Sequence, residues 1–442
     1  MRNPGVLAPL RRPAFRRLAL SYAVNELGDW MGIVALSVLV YDRTGSALAT
    51  AALFLGTGFL PALLAPVVVA RAEQPPPRIA LPVIYCGEAA VFAGLALLAT
   101  HFSLAGVVIL ATLDGALALT GRALTRAVAA RILEPVGELR AGNAILNVAF
   151  TGGAAVGPAV AGIVVAVLGV QSALLLDAVS FYLIALILFT AGQLPHVEPE
   201  PGHVRERVRA GLTYIKEKTS VRRLLIAQGG AFIFFSAVIP VEVIYAKETL
   251  GAGDSGYGLF LASWGGGMVV GSVAFAALRK RSLSLLLFFS TIMIGAGYIG
   301  MAAAPTLAIA CLAAAVGGAG NGVQWVAMVT AVQELTPEGM LARVMAVLES
   351  IGAAMPGVGY AVGGLLAAQA GPRVAFLVAG VGVLGIVAIT AIALGPNWLE
   401  STKKHRPNKG SDADDEVMVE LISAARIKRW EHEAPRQSTT EV

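Results

Sequence analysis

Apolar residues run along most of this chain in stretches of about twenty, which short polar connections separate. A helix of that length crosses about 30 Å of hydrocarbon, whereas membrane-barrel strands are about half as long and alternate in polarity. The pattern therefore predicts transmembrane helices. Twelve are predicted, at residues 18–41, 48–70, 79–100, 103–123, 143–168, 172–194, 224–246, 256–278, 284–304, 306–330, 343–369 and 373–394.

The composition agrees with this pattern. Of the 442 residues, 57% are hydrophobic and 14% are charged, whereas about a quarter of the residues in a soluble domain are charged. The predicted fold class is all-α, a polytopic membrane protein in a lipid bilayer. Cys86 and Cys311 both fall in apolar stretches far from any histidine. Neither a disulfide framework nor a metal site is expected from them.

The positions of Lys and Arg predict the orientation of the chain. With a cytoplasmic N-terminus, only Arg43, Lys247 and Arg373 of the 33 Lys and Arg residues lie on the outer side. Because positive residues concentrate on the cytoplasmic side of membrane proteins, we expect both termini in the cytoplasm of a multi-pass plasma-membrane protein. The net charge of +5 then reflects topology, and no nucleic-acid partner is expected.

The two halves of the chain repeat one another at an offset of 202 residues. Gly157 aligns with Gly359 and Gly162 aligns with Gly364, in the same order as several apolar matches. A parallel repeat of six spans places a substrate path between the halves. The predicted organisation is an N-terminal tail (1–17), a six-helix bundle (18–194), a linker (195–223), a second bundle (224–394) and a C-terminal tail (395–442).

Two segments outside the spans are expected to form helices. Residues 204–218 are predicted to form an amphipathic helix on the inner leaflet. Residues 411–433 begin with acids and end with bases, which suits the helix dipole, so a cytoplasmic helix is predicted there. The tail is either a solvated extension or a regulatory segment. Nothing in the sequence requires more than a monomer.

Small residues recur at helical spacing in the run from Gly153 to Gly162, which reads G-x-x-x-G-P-x-x-x-G. Such spacing lets a second helix approach closely in lipid, and Pro158 is expected to kink the helix. The run, with Gly153, Gly157, Pro158 and Gly162 as its fixed positions, resembles the fifth-helix signature of proton antiporters of the major facilitator superfamily. Ordinary helix packing explains the spacing equally well.

Further stretches resemble the macrolide-efflux and enterobactin-exporter branch of that superfamily. They are Phe15-Arg16-Arg17-Leu18, Gly28-Asp29, Thr44-Gly45-Ser46, Leu139-Arg140-Ala141-Gly142-Asn143, Ile239-Pro240-Val241, Ala246-Lys247, Leu250-Gly251-Ala252 and Gly256-Tyr257-Gly258-Leu259. The resemblance covers most of the membrane region. It implies two six-helix halves that rock between inward-open and outward-open states, and export of drugs or secreted metabolites by proton antiport.

The connection between the second and third spans departs from the superfamily pattern, which has a glycine, an acid and several bases there. Val69 stands in place of the glycine, and Glu73 and Arg78 stand for the acid and one base. Together with Arg279 and Arg281, which follow the eighth span, Glu73 and Arg78 are candidates for a cytoplasmic gate. Topology anchoring accounts for these bases equally well.

Acids on the first helix are the main candidates for proton coupling. Glu26 and Asp29 lie three residues apart, so they share one helix face at membrane depth. A charge there is costly, so such acids face a cavity, pair with a base or exchange protons; hydrogen bonding that only specifies packing is the alternative. Asp114 on the fourth helix is a third candidate. For Arg122 and Arg126, contact with lipid headgroups is favoured over pairing with an acid.

The resemblance places the first, fourth, seventh and tenth helices around the cavity. It nominates Asn25, Gln228, Phe232, Phe235, Asn321, Gln324 and Trp325 for contact with a substrate. Glu88 and Asp177 are expected nearer the membrane surface. Glu242, near the outer end of the seventh helix, either attracts cations at a cavity mouth or lies exposed on its rim.

Together these features predict a secondary active transporter that exports a hydrophobic or amphipathic small molecule by proton antiport. No cofactor is expected, because the proton gradient drives such transport. Two alternatives stay open: a proton-coupled symporter for nutrient uptake, and a non-transporting receptor or scaffold that signals through residues 397–442. The sequence contains no G-x-x-x-x-G-K-[ST], H-E-x-x-H or G-x-S-x-G motif, so neither ATP use nor an enzyme is indicated.

Overall fold

The structure, a computed structural model, describes residues 7–64, 68, 75–190, 194–195, 204–278 and 281–394. Every regular element within these ranges is a helix or a helical turn. Met1–Gly395 form one compact unit. The predicted helix at 411–433 and the C-terminal tail lie outside the described residues.

The helices are numbered in chain order and begin after the short turn Ala8–Arg11. They are α1 (Pro13–Thr44), α2 (Ala47–Leu64), α3 (Pro77–Thr100), α4 (Leu104–Leu133), α5 and α6 (together Leu139–Phe189), α7 (Val204–Glu217), α8 (Thr219–Ala237, continued by short turns to Thr249), α9 (Asp254–Ala277), α10 (Leu283–Ala303), α11 (Leu307–Leu335), α12 (Glu338–Ala370) and α13 (Pro372–Leu394).

Helices α5 and α6 join at a single glycine. Gly169 has φ 81° and ψ 163°, a backbone region that glycine alone adopts without strain. Within the described ranges, eleven elements are long and apolar enough to cross a membrane. Because one of them contains both α5 and α6, they account for twelve spans. The predicted all-α, polytopic fold is confirmed. The backbone dihedral angles of this element leave the helical range at Gly169. This break is at a different residue from Pro158, so the kink expected at Pro158 stays a prediction.

The predicted linker helix is confirmed as α7. The hydroxyl of Tyr214 in α7 donates a hydrogen bond of 3.4 Å to the carbonyl of Leu335, at the end of α11. This contact ties α7 to the second half of the protein. Its position on the inner leaflet stays a prediction.

Two names describe the ends of the bundle. The proximal end is the one at which α1 begins, and the distal end is the one at which α1 ends and α2 begins. Successive spans run in opposite directions, so α4 returns to the proximal end and α8 reaches the distal end again. The first half comprises α1 to α6, and the second half comprises α8 to α13.

Hydrogen bonds at the distal end repeat at the offset seen in the sequence. Arg43 donates to the carbonyl of Ala99 at 2.6 Å, and Tyr245 donates to the carbonyl of Met301. Both the donor and the acceptor positions differ by 202 residues. The second half therefore reproduces the contact between α1 and α3 as a contact between α8 and α10.

Equivalent glycines also make equivalent helix contacts inside each half. Gly157 of α5 packs against Trp30 of α1, and Gly359 of α12 packs against Ser236 of α8. In each half the fifth helix thus lies against the first. Glycine permits this approach because it carries no Cβ, and close approach is how helices associate in lipid.

A second pair of glycines joins the two halves. A Cβ on Gly162 of α5 would lie 2.9 Å from the Cα of Gly258 in α9, and a Cβ on Gly364 of α12 would lie 2.6 Å from the Cβ of Ala51 in α2. The fifth helix of each half therefore contacts the second helix of the other half. The interface between the halves is pseudo-symmetric, as the offset of 202 residues predicts.

Substitution of Gly157 tests the packing inside the first half. A Cβ there would lie 2.6 Å from the Cβ of Trp30, so we expect Gly157→Ala to lower the free energy of unfolding by about 1–3 kcal/mol. Gly152→Ala is the matched control, because no atom lies within 4 Å of a Cβ added there. Thermal unfolding in detergent measures both variants. Melting temperatures that fall equally in the two would contradict the close contact.

Candidate functional site

The first helix carries two acids halfway along its length. Glu26 and Asp29 lie 13 and 16 residues into α1, which places them about 20–24 Å from its proximal end. The side chain of Glu26 is 2% exposed and that of Asp29 is 9% exposed. Both acids are therefore at membrane depth and inside the protein.

Arg122 of α4 pairs with both acids. Its Nη2 lies 2.5 Å from Oδ2 of Asp29, and its Nε lies 3.7 Å from Oε1 of Glu26. Asn25 donates a further hydrogen bond of 3.1 Å to the same Oδ2. We call Asn25, Glu26, Asp29 and Arg122 the α1–α4 ion cluster. The expectation that Arg122 contacts lipid headgroups is wrong, because the acids on the facing helix hold it in the interior.

Arg126 lies one turn nearer the proximal end than Arg122. Its Nη2 donates to the hydroxyl of Tyr22 at 3.1 Å, and its guanidinium lies 5.9 Å from the centre of the Tyr22 ring. Arg126 is exposed, and 32% of the Arg122 side chain is exposed. The two bases thus extend the ion cluster toward the proximal end.

Three more acids lie deeper in the first half. Glu88 of α3 and Asp177 of α6 are fully buried, which corrects the expectation that they lie near the membrane surface. Among the described residues, neither carboxyl oxygen of Glu88 has a hydrogen-bond partner, and Oδ1 of Asp114 has none either. Electrostatic interactions connect all three acids to Asp29. The first half therefore holds more buried acids than bases.

The second half places amides where the first half has charges. Gln324 of α11 donates a hydrogen bond of 2.6 Å to Gln228 of α8, and both side chains are buried. Gln228 is offset by 202 residues from Glu26, and Gln324 is offset by 202 from Arg122. The amide pair is thus the repeat equivalent of the pair formed by Glu26 and Arg122.

Phe232 on α8 and Trp325 on α11 lie within about one helical turn of these two amides. The rings of Phe232 and Trp325 lie 6.2 Å apart, and those of Phe235 and Trp264 lie 5.9 Å apart. Asn321 is half-buried on α11. Contact between these residues and a substrate stays a prediction.

Charged residues connect the two halves at the distal end. Nζ of Lys247 lies 2.5 Å from Oδ1 of Asp42 at the end of α1 and 2.7 Å from Oδ1 of Asp254 at the start of α9. Beside this distal ion cluster, Tyr41 donates a hydrogen bond to Glu248. These contacts bind α1 of the first half to the chain that joins α8 and α9. They join the two halves at the distal end.

The glycine run of α5 lies between both sets of contacts. A Cβ on Gly153 would lie 3.1 Å from Cβ of Glu26, and one on Gly162 would lie 2.7 Å from the carbonyl of Asp254. One helix thus contacts the ion cluster on α1 and the distal end of α9. A role of this run in proton antiport stays a prediction.

The candidates for a cytoplasmic gate are only partly described. Glu73 and Arg279 lie outside the described residues, and Arg78 and Arg281 are exposed. No ion pair involves Arg78 or Arg281 in the part of the chain that the structure describes. The gate therefore stays a prediction.

Twelve spans in two repeated halves, with ion clusters at mid-membrane and at one end, define a polytopic membrane transporter. The model of the family described as transmembrane secretion effector matches residues 4–413. The chain belongs to this family of the major facilitator superfamily, and it is a transporter rather than an enzyme.

One curated relative is the Bacillus subtilis (strain 168) protein named uncharacterized MFS-type transporter YjbB. It is 28% identical over 163 residues, which are 36% of this chain and 39% of the relative. The chain thus matches about two fifths of the length of that relative.

Solved structures share the fold at low sequence identity. A bacterial homolog of the human lysosomal transporter Spinster, inward-facing and occupied, has a TM-score of 0.69 at 13% identity, over 91% of this chain and 99% of that chain. A POT family transporter in complex with a thioalcohol-conjugated peptide has a TM-score of 0.69 at 13% identity, over 87% and 96%. A bacterial homologue of the iron transporter ferroportin, inward-facing, has a TM-score of 0.67 at 17% identity, over 85% and 97%. These likenesses establish the fold alone.

Removal of Lys247 tests the distal closure. We expect Lys247→Met to open the distal end, because it breaks both ion pairs and leaves Asp42 and Asp254 to repel one another. Spin labels on cysteines at Thr100 and Ala308, on opposite halves of the distal end, report the opening as a longer label-to-label distance in pulsed electron resonance.

The matched control for this variant is Arg373→Met. Arg373 donates to the carbonyls of Ala302 and Ala304 at 2.7 and 2.8 Å, so its contacts stay within the second half. We expect this variant to leave the label distance unchanged. The same distance distribution in Lys247→Met and the parent protein would show that the ion pairs do not hold the end closed.

Proposed function

We propose that this transporter exports a hydrophobic or amphipathic small molecule across the plasma membrane in exchange for protons. The α1–α4 ion cluster is the observation that carries the proposal. A single base, Arg122, serves two acids that differ in distance from it, 2.5 Å for Asp29 and 3.7 Å for Glu26. Such a group at membrane depth is a functional site by default.

Proton binding follows from the balance of charges. A carboxylate without a nearby base costs several kcal/mol in an apolar interior, and a bound proton removes that cost. Arg122 is the base that interacts with all three acids, Glu26, Asp29 and Asp114. Ionising all three at once therefore carries a large free-energy cost. A proton on Asp29 removes the negative charge with which Arg122 pairs. Arg122 then pairs with Glu26 instead. The cluster can therefore hold a proton in one arrangement and release it in another.

Helix α1 couples this exchange to the distal closure. Asp29 and Asp42 lie on the same helix, 13 residues and about 20 Å apart. When Asp29 loses its ion pair with Arg122, α1 is free to move relative to α4. A movement of α1 relative to α4 also changes the position of Asp42 relative to Lys247. Proton exchange at mid-membrane is thereby linked to opening and closing of the distal end, as alternating access requires.

Two features support the direction of export: the orientation of the chain in the membrane, and the end of the bundle at which ion pairs join the two halves. Most Lys and Arg residues belong to the connections at the proximal end, which is therefore the cytoplasmic end. The exposed Arg126 lies between the ion cluster and this end, while ion pairs join the two halves at the distal end. A substrate thus enters from the cytoplasm and leaves when the distal end opens, and protons bind from outside while that end is open.

Nutrient uptake by symport uses the same proton site, so the direction of coupled movement separates the two functions. In proteoliposomes loaded with chloramphenicol or rhodamine 6G, antiport moves each compound out of the vesicles while protons flow in. Symport moves the compound with the protons. Movement of the compound in the same direction as the protons would show that the protein is a symporter and not an antiporter.

The variant Asp29→Asn tests the proton site. It keeps the shape of the side chain and removes the charge that Arg122 binds, so we expect gradient-driven transport of these two compounds to fall about tenfold or more. Exchange of compound without a gradient should persist, because no proton is needed for it. Fluorescence of compound and of a pH dye in the same proteoliposomes measures both.

Glu134→Gln is the matched control for this variant. Glu134 is exposed at the proximal end, and the loss of one carboxylate there should leave coupling unchanged. Undiminished proton-driven transport in Asp29→Asn, with Glu134→Gln normal, would rule out this site for coupling.

A further inference from the structure

Side chains seven residues apart form a stripe along the seventh span. Gln228 and Phe235 lie on α8, and Glu242 lies in its distal continuation. Residues seven apart lie on nearly the same helix face. Gln228 faces α11 and Phe235 faces Trp264 of α9, and Glu242 follows after the short 3-10 turn Ile239–Val241. Glu242 is its distal member.

Glu242 has protein on several sides and no counter-charge. Tyr257 of α9, Tyr298 of α10 and Tyr360 of α12 all interact with it electrostatically. Its side chain is nonetheless partly exposed. Within the described residues it makes no ion pair and no hydrogen bond. The nearby base Lys247 is already paired with Asp42 and Asp254.

An aromatic wall adjoins this carboxylate. The rings of Trp264 and Tyr298 are stacked at 5.3 Å, with an angle of 10° between their planes. Phe235 lies 5.9 Å from Trp264 and 6.5 Å from Tyr298. Phe235 and Trp264 keep part of their surface exposed, whereas Tyr298 is buried behind them. Tyr298 connects the wall to Glu242.

The chemistry of this wall decides the class of ligand. An acid without a base beside aromatic faces favours a cation, because the cation stabilises the ionised form of the acid and interacts with the ring quadrupoles. An inorganic cation needs several oxygen ligands, and the described residues contain no group of three or more acids, histidines or cysteines that could hold a metal ion. The wall instead offers apolar surface for the body of an organic molecule.

We propose that Glu242, Phe235, Trp264 and Tyr360 form a binding site for an amphipathic organic cation. This inference rests on the proposed function, because it takes the space beside Glu242 to be part of the transport path. It assigns the two tasks of the transporter to different halves. The proton site lies in the first half, and the substrate cation binds in the second.

Equilibrium binding of a matched ion pair tests this site without any proton gradient. Tetraphenylphosphonium and tetraphenylborate have nearly the same size and shape and opposite charge. In purified full-length protein, we expect the cation to bind and to quench tryptophan fluorescence. Glu242→Gln should weaken its binding about tenfold or more, because the carboxylate is its only charged partner. Binding of the anion should not weaken in this variant.

Two further variants keep the result interpretable. Glu134→Gln removes an exposed acid far from the stripe and should bind the cation as the parent protein does. Phe235→Leu keeps an apolar side chain but removes the ring, so cation affinity should fall several-fold. Size-exclusion profiles equal to that of the parent protein establish that each variant is folded.

The outcomes separate this inference from proton antiport. Equal cation affinity in Glu242→Gln and the parent protein would overturn the cation site and leave the proposed antiport standing. Equal losses for cation and anion would also overturn it, since shape rather than charge would then decide. Weakened binding of the cation alone supports the site, even if gradient-driven transport in proteoliposomes proves absent.

Discussion

The ion pair between Asp29 and Arg122 is the interaction on which this transporter depends. Two ionised groups at membrane depth are tolerated only while they neutralise one another, because each alone costs several kcal/mol in an apolar interior. Arg122 has Glu26 as a second partner at a longer distance. The pair therefore has an alternative arrangement close at hand, and we propose that proton binding selects between the two.

The repeat shows what is particular to each half. The frame is common to both, since the glycine contacts and the distal hydrogen bonds recur at the offset of 202 residues. The chemistry differs, because Glu26 and Arg122 correspond to the neutral amides Gln228 and Gln324. One frame thus carries charges in the first half and amides with aromatic rings in the second. A fold of two similar halves can divide proton binding from substrate binding in this way.

Much of the fold was predictable from the sequence, and part of the candidate site was not. The length and apolarity of each stretch determine the number of spans, and glycines that recur at one offset reveal the repeat. Both can be read along the chain without knowing how the helices pack. The partner of Asp29 was missed, since spacing along α4 does not determine how far that helix is rotated toward α1. For the same reason Glu88 and Asp177 were placed near the surface, although α3 and α6 bury them.

Other features could be anticipated only in kind. An unpaired acid near the end of the seventh span was visible in the sequence as Glu242. Its tyrosine neighbours come from α9, α10 and α12, and only tertiary structure brings those three helices to one point. The same holds for the distal ion cluster, which joins residues more than 200 positions apart.

Proton release on substrate binding tests the central claim most directly. Calorimetric titration of purified protein with tetraphenylphosphonium, in buffers of different ionisation enthalpy, counts the protons that leave when the cation binds. Two sites coupled through one set of helices predict proton release in the parent protein. They also predict that the cation binds with less proton release in Asp29→Asn. Proton release that is unchanged in Asp29→Asn, or absent in the parent protein while the cation binds, would contradict the account.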